Sequence, residues 1–353
     1  MRRSRLLILL ATCAAVLPLA LPTITLAPAL AQENPVDGAA AAAFTGTATG
    51  QVFDPNPVVA LQDETLTDQH DQDYPALQGA YRTVTLTHLD GSGYLHGDYA
   101  TINAKQKTPA FSSTGTFVYP RSDDRFEQVM VYYHVTAAQT YIQSLGFTNV
   151  NNEPQDLLVN PIGQDNSYYD PKTDIITFGK GGVDDAEDAE MIWHEYGHAI
   201  QDDQVPGFGS GNQAGSLGEG FGDYWAFTMS QGDSPDTATT PLACIADWDS
   251  TSYTYNQLPH CLRRVDTNKT MADYQPNGDV HLNGQIWSRA LHDINLALGR
   301  DPANTVILQA QFAFSPSTTF QAAAQTTVDT ATALYGAAAG SQVQAAFAAR
   351  GIL

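Results

Sequence analysis

Trp193-His194-Glu195-Tyr196-Gly197-His198-Ala199-Ile200-Gln201 sets two histidines four residues apart with a glutamate between them. In an α-helix residues at that spacing are about 400° apart round the axis, so His194 and His198 leave successive turns in one direction. Two imidazoles so placed can hold a single zinc ion, with Glu195 beside the open coordination position. The same H-E-x-x-H pattern also fits an amphipathic helix with two surface histidines. Ala189, Ile192, Tyr196, Ala199 and Ile200 argue against that reading, because they form an apolar stripe and predict a half-buried helix over 186–201.

A hydrolytic zinc takes three protein ligands and leaves its fourth position to water. The third ligand must come from another helix, and Gly218-Glu219-Gly220-Phe221-Gly222-Asp223 offers one. Glu219 stands between two glycines that allow a neighbouring backbone to come close. Asp223 follows one turn later on the same face, placed to accept a hydrogen bond from the free ring nitrogen of a ligating histidine. The plainer reading of Asp223 is a surface acid on a helix.

The whole chain of 353 residues suffices for one large or two modest domains. Its first 31 residues read as a secretory signal: Arg2, Arg3 and Arg5, an apolar run from Leu6, and Ala29-Leu30-Ala31 as a cleavage site. Prolines 18, 22 and 28 argue against the competing reading, an uncleaved membrane helix. With no second apolar run of that length, no stable membrane insertion is expected after signal removal, and the product is expected to be exported and extracellular. Losing the leader leaves 13 basic residues against 38 acidic ones, a net charge near −25. Such a surface repels nucleic acid and anionic lipid and suits divalent cations. Cys13 leaves with the signal, and the remaining pair, Cys244 and Cys261, reads as a disulfide in an exported protein.

Along the chain, residues 32–48 are an Ala/Gly/Thr-rich linker, and 49–120 alternate as a β-rich N-terminal region, with Tyr81–Thr87 the clearest strand. Residues 121–230 form the catalytic lobe. Within it Phe126 to Leu145 shows helical spacing and ends at Gly146. His134 on that helix reads as a satisfied core histidine. Asn166–Pro171 and Asp174–Gly179 read as two strands round a Pro-containing turn. They form either an ordinary hairpin or an edge able to add an extended peptide. Five acids over 183–190 suit a helix N-terminus as solvated capping charge, with calcium binding the alternative, Glu190 included. A Gly-rich loop is expected over 201–216, and a helix from Leu217 to Ser230. Residues 231–353 form a mainly helical C-terminal lobe, with a capped helix start at Ser317–Gln321.

H-E-Y-G-H followed by G-E-G-F-G-D-Y resembles the thermolysin and fungalysin group of zinc metalloendopeptidases, whose third ligand is a glutamate. The resemblance extends over further motifs, from about Phe126 to Leu353. Asn166-Ser167-Tyr168-Tyr169 is similar to the family's substrate-binding edge strand. Cys261-Leu262-Arg263-Arg264-Val265-Asp266 is similar to the segment whose arginine, here Arg263, contacts the substrate carbonyl beyond the scissile bond. Val280-His281-Leu282-Asn283-Gly284 resembles the segment whose histidine, here His281, stabilises the tetrahedral intermediate. The chain departs from the family in having glycine at 222, where serine is common, and no tyrosine between His198 and Glu219.

The resemblance implies an α+β, two-lobed zincin fold: a β-rich N-terminal lobe, a central zinc-binding helix, an all-helical C-terminal lobe and a cleft between them. It implies a secreted, monomeric zinc endopeptidase acting on proteins or peptides. Glu195 would be the general base, His281 and Arg263 the oxyanion donors, and calcium a further cofactor. Met191 and Leu262 would line the pocket for the residue after the cut, with an apolar preference. Two rival functions are an inactive extracellular binding or adhesion module of degenerate peptidase fold and a zinc aminopeptidase. An intact Glu195 speaks against the first, and no motif for a free amino terminus supports the second.

Overall fold

The computed structural model describes residues 47–254 and 257–353. The expected leader, 1–31, and the linker as far as residue 46 lie outside the described residues. The described residues belong to one compact unit, Ala41–Leu353. The chain runs β1 (Ala48–Val52), α1 (Pro57–Leu61), β2 (Arg82–Leu86), β3 (Ala100–Ile102), β4 (Thr116–Phe117) and α2 (Arg125–Ser144). Next come β5 (Gln155–Val159), β6 (Tyr168–Asp170), β7 (Ile175–Phe178), α3 (Ala189–Gln204) and α4 (Asn212–Ser230). A short strand pair, β8 (Cys244–Ile245) and β9 (Arg263–Arg264), precedes α5 (Val280–Leu298), α6 (Arg300–Gln311), α7 (Phe320–Tyr335) and α8 (Ala337–Ala349). The fold is α+β and two-lobed, as the motifs implied.

Two sheets carry the N-terminal lobe. One has the order β2-β1-β4; the other has the order β3-β5-β7-β6, in which the first three strands are parallel and β6 runs antiparallel at the edge. α2 packs against β1, β3 and β5, and against α3 on another side. His134 on α2 is buried, its Nε2 2.8 Å from the carbonyl of Phe53, as expected of a core histidine. Gly146 closes α2 at φ +95°, a region that other residues enter at a steric cost.

α3 forms because its local signals agree. Asp188 caps it, accepting from the amide of Glu190, and its stripe faces inward, with Ile192, Tyr196 and Ile200 fully buried. Each isoleucine contributes about 1.5–3 kcal/mol by leaving water. Tyr196 also finds a partner for its hydroxyl, donating to Gln139 at 2.8 Å. The helix thus lies in the core, packed against β6 and β7 of the second sheet and along α4. α4 in turn packs along α5, which α6 and α8 cover.

Two expectations need correction. The Gly-rich loop is shorter than 201–216: α3 continues to Gln204 and α4 begins at Asn212. Gly207, Gly209 and Gly211, all at positive φ, make the turn, while Gly215 sits inside α4 against Val280. The acids at 183–190 are not solvated, since Asp184, Asp185, Glu187, Asp188 and Glu190 are all buried. Distant donors satisfy several of them. Buried Arg121 donates from Nε to both oxygens of Glu187 at 2.8 and 3.0 Å, and the indole of Trp248 donates to the same carboxylate. Asn56 and the backbone amides of Trp248 and Asp249 donate to Asp188. The capping role holds for Asp188, and several of the other acids accept from protein donors.

Candidate metal centre

Crossing of α3 and α4 brings the expected ligands together. The rings of His194 and His198 lie with centroids 5.0 Å apart and planes at 85°. Nε2 of His194 is 3.3 Å from Oε2 of Glu219, and Nε2 of His198 is 3.8 Å from Oε1. One ligand atom from each of the three lies within 4.8 Å of the others. Ligands at zinc distances in a tetrahedron stand about 3.3 Å from one another, so this donor set needs little adjustment to close on one ion.

Glycines permit the crossing. A Cβ on Gly222 would lie 2.8 Å from Nδ1 and 3.0 Å from the carbonyl oxygen of His194, and one on Gly197 would lie 3.1 Å from Cα of Gly222. A side chain at 222 would press on the ligand histidine, so glycine there bears on His194 as well as on packing. Gly220 makes the corresponding approach on the α5 side, against the carbonyl of Gly284.

The electrostatics call for a cation. Burial alone would raise Glu219, but His198, His194 and His281 around it draw it down to about 2. Burial works against charge on His194, yet Asp223 and Glu219 beside it prevail and push it up to about 10. Two ligands that each favour positive charge between them suit an ion in the proton's place. Oε2 of Glu219, buried, has no hydrogen-bond donor among the described residues. The residues present therefore fit a zinc ion.

Around this triad stand the other expected residues. Oδ1 of Asp223 is 3.0 Å from Nδ1 of His194, a close charge contact bent away from straight hydrogen-bond geometry. Asp223 is fully buried and also receives Arg263, from Nε at 2.8 and 3.0 Å and from Nη2 at 2.7 Å. Burial opposes that carboxylate, and Arg263 with His194 holds it far below the usual range. His281 begins α5, half-exposed, with Nε2 3.3 Å from Oε2 of Glu219. Its other ring nitrogen lies 3.0 Å from Asp279, the cap of that helix. Asp279 is a positioning contact that the motif reading missed, although an acid two residues before a helical histidine is a readable cap signal. Glu195 lies beside the ligands, 5% exposed, with Oε2 unpartnered among the described residues.

A cavity of about 400 Å³ runs from the three ligands and Glu195 to Asn166, Ser167 and Tyr168. β6 is the outer strand of its sheet and pairs Tyr168 with Thr177 on β7. Ser167 donates its hydroxyl to Asp185. Cys244 and Cys261 form a disulfide whose sulfurs staple the β8–β9 pair, in which Ile245 faces Arg263. Arg263 thus reaches the site from a short, cross-linked ribbon. Glu190 spends both oxygens on protein donors, the hydroxyl of Ser230 at 2.6 Å and the amide of Ala246 at 2.7 Å.

A family model described as the thermolysin metallopeptidase alpha-helical domain matches residues 207–352. An extracellular metalloproteinase 2 of Arthroderma gypseum is 29% identical over 115 residues, and its Trichophyton rubrum counterpart is 28% identical over 115. Each match takes in 30% of this chain and 18% of the fungal protein, so the matched part spans under a fifth of those relatives. Among solved structures, the precursor of protealysin, a metalloproteinase from Serratia proteamaculans, superposes with a TM-score of 0.50 at 20% identity. That superposition covers 64% of this chain and 78% of the other, and it supports the fold.

Proposed function

The chain is thermolysin- and fungalysin-like in its fold and helical domain, and on that premise we propose that it is a secreted zinc endopeptidase. One observation carries the proposal: Oε2 of Glu195, without a partner among the described residues, lies in a cleft beside three convergent ligands, His194, His198 and Glu219. Retaining a metal for structure alone needs no such base. Zinc, when bound, supplies the Lewis acidity that lowers the pKa of water toward neutrality. Glu195 accepts the proton of the attacking water and delivers it to the departing amine. His281, held by Asp279, donates to the oxyanion that develops on the scissile carbonyl, a contribution of about 3–4 kcal/mol for a well-placed donor. Arg263 faces the carbonyl beyond the bond, and Asp223 fixes both Arg263 and His194. β6 offers its outer edge to an extended peptide.

The leader motif supports export, and the fungal relatives are named extracellular metalloproteinases. No helix among the described residues is long and apolar enough to cross a membrane. The decisive test pairs casein with an internally quenched peptide blocked at both ends. An endopeptidase cleaves both, loses activity on chelation and regains it with zinc. Glu195→Gln should keep zinc and lose at least about a hundredfold in kcat. Cleavage confined to free amino termini would favour the aminopeptidase, and no cleavage by zinc-loaded protein would favour a binding module.

A further inference from the structure

A second cavity, of about 270 Å³, shares Glu195, His194 and His281 with the first. Met191 and Leu262 form an apolar part of its wall, as expected for the pocket of the residue after the cut. The rest is unexpected: Asp165, Asp185 and Asp249 also line it. They come from the loop before β6, the turn before α3 and the turn after β8. One carboxylate oxygen from each lies within 4.8 Å of the other two.

Two of these acids are nearly inaccessible, Asp185 at 1% and Asp249 at 3% exposed. Each accepts a hydroxyl on Oδ2, from Ser167 and from Tyr253 respectively. Oδ1 of each is buried with no donor among the described residues. Arg263, the cation lining the same cavity, directs Nε and Nη2 at Asp223 instead. Buried carboxylate oxygens without donors are costly, and the three acids that converge where a substrate side chain would enter include two that carry one. Burial and the neighbouring acids raise Asp185 to about 8 in the absence of a cation.

We propose that this cavity binds the cationic side chain of a lysine or arginine immediately after the scissile bond. The inference rests on the endopeptidase reading and replaces the apolar preference expected there. An ammonium has three N–H donors for three carboxylates. Acceptors at charge-assisted distances round it stand about 4.6 Å apart, compatible with three oxygens that lie within 4.8 Å of one another. Met191 and Leu262 then cover the methylene stem, a contact that a bare metal ion would not use.

The test uses zinc-loaded full chain and blocked quenched peptides that differ only at the residue after the bond: Lys, Arg, Leu or Glu. Mass spectrometry locates each cut. Lys and Arg should exceed Leu in kcat/KM by at least about tenfold, with Glu poorest. In Asp185→Asn/Asp249→Asn the Lys-to-Leu ratio should fall by a similar factor. Leu equal to or ahead of Lys in the wild type, or a basic residue required before the cut, overturns the proposal even if the variant does not fold. Tight calcium binding that is lost in the variant, together with a Leu preference, would overturn it in favour of a metal site. No cleavage of any peptide would overturn the peptidase reading and this inference with it.

Discussion

Arg263 and His194 meet on one carboxylate: Asp223 receives the guanidinium at 2.7–3.0 Å and stands 3.0 Å from Nδ1 of the histidine. The arginine proposed to face substrate and the imidazole proposed to hold the metal therefore share a single buried anchor. Asp223→Asn keeps the shape but removes the charge that holds both. We expect the zinc Kd to rise about 10–100-fold, read by competition with a chromophoric chelator. An unchanged Kd would mean that Asp223 does not orient His194.

Gly222→Ala tests the helix crossing. Its Cβ would fall 2.8–3.0 Å from atoms of His194, so the ring or the helix must move. A loss of about 1–3 kcal/mol in stability is expected, together with weaker zinc binding. Denaturant unfolding and the same chelator competition report the two effects. A variant with wild-type values in both would show that the crossing is looser than its geometry.

Burial, followed by the charge of Asp188, raises Glu190 to about 8 from an ordinary 4.5. The folded state then keeps a proton that the unfolded chain loses, so this group's contribution to stability declines as pH rises from about 4.5 to 8. Glu190→Gln removes that titration while retaining partners for Ser230 and Ala246. Relative to wild type, the variant should gain at least about 1.4 kcal/mol between pH 5 and pH 8, one pKa unit's worth. Urea unfolding at the two pH values measures it. A constant or falling difference would show that Glu190 is ionised in the fold.

What was legible in the sequence was local or carried by ordered motifs. His194 and His198 announce themselves through helical spacing, and Ile192, Tyr196 and Ile200 supply the buried face. Glu219 needed the flanking glycines and the family resemblance, since nothing local says which helix crosses α3. The acids at 183–190 looked solvated because their partners, Arg121 and Trp248, lie some 60 residues away on either side. Asp165, Asp185 and Asp249 have no spacing rule in common; only the packed turns put them into one cavity. The loop after α3 is shorter than its run of glycines suggests, because Gly215 belongs to α4. In the fold it is a helical glycine that makes room for Val280.

Zinc content of Glu219→Ala, set beside the wild type, tests the central claim most directly. After both proteins are equilibrated with micromolar zinc and desalted, the wild type should hold about one zinc per chain. The variant should hold under about a tenth as much, with its circular dichroism retained. A folded variant that keeps a full equivalent of zinc, or a wild type that holds none, would contradict the account.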